Sequence, residues 1–207
     1  MERTNPMELS DAGNAFLLVV DIQGKIARMV QGSHELQTRV AKLLRVADLF
    51  DVPVVVTEQY PKGLGKTATE LAGLLEQLNL EKHLFTKSFF GCCGEPGFDQ
   101  LMSVVADGVR KRQKSGLDRP VDVIVVGIET HVCVQQTVLE LLARRFRVIL
   151  LEDCVSSRTT DCHRIALERM RQCGAVISCF ESIVFEWART KDHPRFREMS
   201  AIVKEEG

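Results

Sequence analysis

Short runs of consecutive apolar residues alternate along this chain with longer stretches in which apolar residues recur at helical spacing. The runs are rich in β-branched and aliphatic residues, which are typical of strands. An unbroken apolar run is typical of a parallel strand that is buried on both faces. We therefore predict strands over residues 16–20, 54–57, 84–86, 121–127, 148–151 and 175–178.

Amphipathic helices are predicted between these strands. The helix between the first two strands carries its apolar face on Leu36, Val40, Leu43, Leu44 and Ala47. A second helix follows residue 133, and a third spans about 161–171. Strands that alternate with helices indicate an α/β fold. We predict a three-layer domain whose mainly parallel sheet has about six strands in the order 3-2-1-4-5-6, with helices on both faces.

The length of 207 residues and a hydrophobic content of 45% fit one domain with a sizeable core. We expect a single domain over 1–207, with peripheral tails at 1–14 and 189–207. The stretch 108–120 is charged and punctuated by glycine, so we predict a surface loop there.

The formal net charge of −1 provides no cationic field for nucleic acid or for an anionic membrane, so neither partner is expected. The polar N-terminal segment is followed by an apolar run over 15–20 that is too short to span a bilayer or to form a signal core. We expect a cytoplasmic protein.

Seven cysteines are spread along the chain without the paired spacing of a disulfide framework or of a zinc site. Reduced thiols in a reducing compartment fit this pattern best. The neighbours Cys92 and Cys93 lie in a glycine-bounded loop, where they either pack against the core or form an oxidisable pair.

Three residues whose side chains could take part in catalysis come at or just after the ends of predicted strands. Asp21 ends the first strand, Lys87 ends the third, and Cys133 follows the fourth. Taken one at a time, these residues could be a helix cap, a solvated cation and packing material. Because the carboxyl ends of parallel strands meet at one edge of the sheet, we expect an acid, a cation and a thiol to converge there.

Cys133 is placed near the start of a helix. Unpaired N–H groups and the positive end of the helix dipole favour a thiolate, and the same donors can receive an oxyanion. We therefore expect Cys133 to be held as a thiolate. The alternative is an inert, packed cysteine, since free cysteine is among the most buried residue types.

At this point the sequence resembles the isochorismatase-like cysteine hydrolases, and within them the small isochorismatase-domain proteins of uncertain substrate. The resemblance rests on three motifs in order, VVDIQ, TEQYPKGLG and GIETHVCV. It implies a catalytic triad of Asp21, Lys87 and Cys133. It also implies a cis peptide bond between Ile128 and Glu129, and an oxyanion hole formed by the N–H groups of Glu129 and Cys133.

The resemblance further implies hydrolysis of a small amide or related acyl compound through a thioester, with Asp21 as the general base. The nicotinamidase branch resembles a metal-dependent design in which histidines follow the second strand. This chain has Glu58, Gln59 and Tyr60 there, so we predict no metal ion and no cofactor. Members that cleave isochorismate lack the nucleophilic thiol, so that reaction is not expected either.

We assign Gln59, Tyr60 and Phe90 to the wall of the substrate pocket. His131 is predicted to have no acid–base role, and Trp187 either packs internally or contacts another subunit. Family members are commonly homo-oligomers, so we expect one here, with a small molecule as substrate. Two other functions stay open. One is a catalytically inactive protein of the same fold that binds a ligand or partner, and the other is a thiol switch at Cys92 and Cys93.

Overall fold

The protein is described by a computed structural model over residues 8–113 and 119–205. Its sheet has six parallel strands in the order β3-β2-β1-β4-β5-β6, which confirms the predicted fold and strand order. The strands are β1 Ala15–Val20, β2 Val54–Gln59, β3 Lys82–Lys87, β4 Asp122–Ile128, β5 Arg147–Ser156 and β6 Val176–Ser178.

Helices cover both faces of this sheet. They are α1 Ser33–Leu49, α2 Pro61–Leu64, α3 Thr69–Gln77, α4 Phe98–Arg112, α5 Gln135–Ala143, α6 Thr160–Gln172, α7 Phe180–Ala188 and α8 Phe196–Lys204. The helices predicted from periodicity correspond to α1, α5 and α6.

The sheet separates two hydrophobic layers, and β1 contributes to both because successive side chains of a strand point to opposite faces. Leu17 and Val19 pack in a layer with α1, α7 and α8. Phe16 and Leu18 pack in a layer with α4, α5 and α6. All residues of β1 are buried, as expected for a central parallel strand.

Part of the predicted surface loop is helical. Residues 108–112 of the stretch 108–120 form the last turn of α4, whose buried face includes Val105, Ala106 and Val109. The prediction of a loop was wrong there because the charges lie on the outer face, while the apolar residues keep helical spacing across Gly108. Residues 114–118 of that stretch lie outside the described residues.

The C-terminal segment contributes to the core. It contains α8, from which Met199 is fully buried and Ile202 is largely buried in the layer with α1 and α7. Trp187 is also buried, and its indole N–H donates to the Ser10 hydroxyl at 3.3 Å. Of the two alternatives for this tryptophan, the structure therefore favours internal packing.

None of the helices in the described ranges is long and apolar enough to cross a membrane.

Candidate active site

The candidate site lies where the strand order reverses, between β1 and β4. Crevices at such a point are the usual ligand sites of open parallel sheets. Asp21 directly follows β1, Glu129 directly follows β4, and Lys87 is the last residue of β3. The fold thus brings Asp21 and Lys87 to one edge, as predicted.

Three strands are followed directly by a non-glycine residue with left-handed backbone. Asp21 has φ 54°, Tyr60 after β2 has φ 38°, and Glu129 has φ 55°. Residues other than glycine seldom adopt this region, and each instance costs on the order of 1–3 kcal/mol unless its surroundings enforce it. Three of the six left-handed non-glycine residues in the described ranges thus directly follow β1, β2 and β4.

The cis peptide bond predicted between Ile128 and Glu129 is wrong for this structure, because the described residues contain no cis bond. The chain turns instead through a left-handed Glu129, at φ 55° and ψ 65°. A trans bond avoids a penalty of roughly 2.5–4 kcal/mol for a non-proline residue. Within the described part of the chain, the Glu129 N–H donates to no other protein group.

Asp21 is buried and held by two side chains. The Thr57 hydroxyl donates to Oδ1 at 2.6 Å, and the Lys87 ammonium donates to Oδ2 at 2.6 Å. Asp21 is only 3% exposed, so water contributes little to its solvation. Both oxygens are therefore fixed in direction by protein donors.

Lys87 reaches Asp21 across the end of β2, and its ammonium is surrounded by oxygen. Besides Asp21, it donates to Gln59 Oε1 at 2.8 Å and to the carbonyl oxygens of Phe90 at 2.8 Å and Phe89 at 3.2 Å. An ammonium has three N–H groups, so these acceptors use all of them. Lys87 therefore orients Asp21 and the 89–90 loop and has no donor to spare.

Cys133 lies in a π-helical turn, Thr130–Val134, that continues into α5. Such turns occur frequently at functional sites. Burial raises the pKa of the Cys133 thiol well above its usual value, and the negative charge of Asp21 raises it further, while Lys87 only partly opposes the rise. Burial and the charge of Asp21 therefore both oppose the expected resting thiolate.

A cavity of about 320 Å³ opens above Asp21 and Cys133. Its apolar wall is formed by Ile26, Leu64, Phe90, Ile128 and Val132. Gln23, Gln59, Glu129 and Arg158 complete the lining. The site therefore combines a thiol and an acid at the base of a largely apolar space, which is suited to a small organic molecule.

Of the predicted pocket residues, Gln59 and Phe90 line the cavity and Tyr60 does not. Tyr60 is 57% exposed, and its N–H donates to the Lys87 carbonyl at 2.9 Å. Its ring packs over Gly63 of α2, where an added Cβ would lie 2.2 Å from Cε1 of the ring. The assignment of Tyr60 to the pocket was therefore wrong.

A second ion-pair cluster flanks the cavity. Arg158 Nε donates to Glu129 Oε1 at 2.9 Å, and His131 Nδ1 lies 3.3 Å from Glu129 Oε2. His131 hydrogen-bonds the Ser157 hydroxyl at 3.0 Å, so it belongs to this cluster. The prediction that it is not a second acid–base group for Cys133 remains consistent with this placement.

Sequence reasoning missed Thr57, Gln23 and Arg158. Gln23 lies within the motif VVDIQ and Thr57 within TEQYPKGLG, so position in a motif could have indicated them. Arg158 lies two residues beyond β5, at the same edge of the sheet. It was missed because the predicted fifth strand ended at residue 151, while β5 continues to Ser156.

Cys92 and Cys93 pack beneath the site. Burial raises the pKa of each thiol to about 12. Cys92 Sγ accepts a hydrogen bond from the Thr137 hydroxyl at 3.2 Å. Burial and a raised pKa both slow thiol oxidation, so the structure favours packing for this pair.

In the part of the chain that the structure describes, no three of the His, Cys, Asp and Glu side chains are grouped so that they could hold a metal ion.

The chain is similar to known proteins over most of its length. The family profile described as the isochorismatase domain matches residues 15–182. Isochorismatase family protein 1B of Dictyostelium discoideum is 35% identical over 189 residues, which covers 91% of this chain and 85% of that protein.

Two solved structures share the fold. One, described as MAR1 ribonuclease from Caenorhabditis elegans, is 33% identical with a TM-score of 0.79 and covers 96% of this chain and 93% of that chain. The YcaC gene product of Escherichia coli, described as an octameric hydrolase of unknown specificity, is 19% identical with a TM-score of 0.77. The match covers 96% of this chain and 97% of that one.

Proposed function

The chain belongs to the isochorismatase family, and from this premise we propose that it is a cysteine hydrolase that cleaves a small amide or related acyl compound. The observation that carries the proposal is the buried Asp21 carboxylate, fixed by Lys87 and Thr57 beside the Cys133 thiol at the base of a cavity. A carboxylate that can accept the proton of a neighbouring thiol is the arrangement that nucleophilic catalysis by cysteine requires.

In the proposed reaction, Cys133 Sγ attacks the carbonyl carbon while the thiol proton passes to Asp21. The oxyanion binds at the N–H groups of Glu129 and Cys133. When the C–N bond breaks, Asp21 returns the proton to the leaving amine and a thioester remains. Water then attacks the thioester with Asp21 as base, which releases the acid and restores the thiol. Lys87 positions Asp21 throughout.

The donor set supports a reaction without a metal ion. The two carboxylates at the cavity are Asp21, whose oxygens are engaged by Thr57 and Lys87, and Glu129, which pairs with Arg158. Among the described residues that line the cavity, none is a histidine. Imidazole ligands that would suit zinc or iron are therefore missing from this wall.

The experiment is a screen of small primary amides for ammonia release. We expect turnover by the wild-type protein and a loss of at least about a thousandfold in Cys133→Ala, because the thiol is the nucleophile. Cys173→Ala is the matched control, since that cysteine is exposed. Equal ammonia release by the wild type and Cys133→Ala would rule the proposal out.

A second candidate function is that of a catalytically inactive protein of the same fold that binds a small molecule. It is favoured by the burial of Cys133, which is 7% exposed, and by its raised pKa. Calorimetric binding of a small amide without any turnover would support this candidate.

Cleavage of RNA is an alternative activity to test, because the similar Caenorhabditis elegans protein is described as a ribonuclease. The net charge of −1 gives little attraction for a phosphate backbone, so we keep the expectation of a small-molecule substrate. Release of labelled oligonucleotide fragments by the wild type and not by Cys133→Ala would overturn that expectation.

A further inference from the structure

A second cavity lies beside the one that contains Cys133. Its volume is about 530 Å³, and it is lined by residues from the stretches 24–28 and 66–70 and from the first two turns of α1. Ile26 and Leu64 come from the same two connections, after β1 and after β2, but they line the first cavity. The two cavities therefore adjoin each other, and the proposed reaction uses only the first.

The second cavity is cationic. Lys25, Arg28 and Lys66 line it, and none of the three forms an ion pair with a carboxylate of the described residues. Among the described residues that line it, Glu70 is the only acid. A cleft lined mainly by one sign of charge focuses the electrostatic potential. The cavity therefore attracts anions, although the net charge of the chain is −1.

The backbone that carries these cations is fixed by hydrogen bonds. The N–H and the hydroxyl of Thr67 both donate to Glu58 Oε1, at 2.7 and 2.8 Å, and Glu58 is buried. The Gly24 N–H donates to the Lys66 carbonyl at 2.9 Å. At Gly24 the two connections pack so closely that a Cβ would lie 1.8 Å from the Leu64 carbonyl oxygen. The cations of both connections are thus held around one cavity before any ligand binds, which lowers the cost of binding.

We propose that the second cavity binds a small molecule that carries a diphosphate group. Three separate cations can contact several oxygens of a diphosphate, whereas a single carboxylate would leave most of them unused. Lysine binds phosphate as a point charge, and arginine binds it through paired N–H groups. The volume lies within the usual range of small-molecule sites and exceeds that of a diphosphate, so an organic group fits as well. This site is separate from the proposed hydrolysis and does not depend on it.

The test is isothermal titration calorimetry of the wild-type protein with inorganic pyrophosphate, in a buffer free of phosphate and of divalent cations. We expect saturable binding at one site per chain. Lys66→Gln and Arg28→Gln should each weaken binding by about tenfold, because each removes one charge-assisted contact. Pyrophosphate should also raise the temperature of thermal unfolding of the wild type more than that of either variant, since a ligand that binds the folded state stabilises it.

Lys62→Gln is the matched control, because Lys62 is an exposed lysine of α2 that does not line the cavity. It removes the same charge but no contact, so it should change the affinity by less than about twofold at physiological salt. Circular dichroism establishes that each variant is folded. Absence of saturable pyrophosphate binding at millimolar concentration would overturn the proposal. So would equal weakening by Lys62→Gln and Lys66→Gln, which would indicate diffuse surface charge.

Titrations with ADP and with adenosine identify the organic part of the ligand. Tighter binding of ADP than of pyrophosphate, without binding of adenosine, would support a nucleoside diphosphate. Equal or weaker binding of ADP would support a diphosphate with a different organic group. Adenosine that binds as tightly as ADP would overturn the proposal, because the phosphates would then contribute nothing. Each readout is binding alone, so a failure of the proposed hydrolysis leaves these outcomes unchanged.

Discussion

The protonation state of Cys133 decides how the site can work. Lys87 would favour a thiolate, but its ammonium lies 2.6 Å from the Asp21 carboxylate, whose negative charge outweighs the effect of Lys87 on the Cys133 pKa. Burial then determines the outcome and raises the pKa of the thiol. In the proposed reaction, Cys133 therefore starts as a thiol and passes its proton to Asp21 during attack, which is general-base catalysis.

This state predicts slow alkylation of Cys133 near neutral pH. Iodoacetamide reacts with thiolates, so at about pH 7 Cys133 should be modified more slowly than the exposed Cys173. Asp21→Asn removes a charge that raises the Cys133 pKa, so it should accelerate alkylation of Cys133 by about tenfold or more. Mass spectrometry of the two cysteine peptides between about pH 6 and 10 measures both rates.

The rate for Cys173 in each variant is the internal control. If Cys133 is the fastest thiol of the wild type near neutral pH, or if Asp21→Asn slows its alkylation, a resting thiol is contradicted.

At the scale of elements, the sequence predicted which strands exist better than where they end. Asp21 and Lys87 could be predicted to meet, because unbroken apolar runs specify parallel strands and the carboxyl ends of such strands share an edge. Arg158 could not. The polar Glu152 and Asp153 ended the predicted fifth strand, although the backbone pairing of β5 continues to Ser156.

The contacts that hold the acid depend on register, which periodicity does not determine. Gln59 of β2 lies directly opposite Lys87 of β3, and Asp21 follows the β1 residue paired with Thr57. This alignment lets Thr57, Gln59 and Lys87 converge around Asp21. Apolar patterns identify each strand, but a side chain's polar partner depends on the neighbouring strand, so Thr57 was not predicted.

Helix α8 provides a test of how much the C-terminal segment stabilises the fold. Met199 is fully buried against the layer that contains α1 and α7. Met199→Ala should lower the free energy of unfolding by about 2–5 kcal/mol, because it removes buried surface and leaves a cavity. Urea unfolding followed by circular dichroism measures the change.

Met29→Ala is the control for that measurement, since Met29 is 58% exposed and its truncation should change stability by less than about 0.5 kcal/mol. Similar small effects of both substitutions would indicate that the segment is a peripheral tail, as the sequence had suggested.

For the whole molecule, the remaining question is association with other copies. Four apolar side chains from the segments that follow β2 and β3 are each more than a third exposed: Tyr60, Leu64 of α2, Phe89 and Phe90. Exposed apolar surface of this kind often marks an interface.

We therefore expect a homo-oligomer that is held mainly by apolar contacts. With a net charge of −1, copies of the chain repel one another only weakly, and added salt has little repulsion to screen. Light scattering after size exclusion should give a multiple of 23.2 kDa that stays constant between about 50 and 500 mM NaCl. A mass of one chain at micromolar concentration would contradict association, and a mass that falls as salt rises would indicate ionic contacts instead.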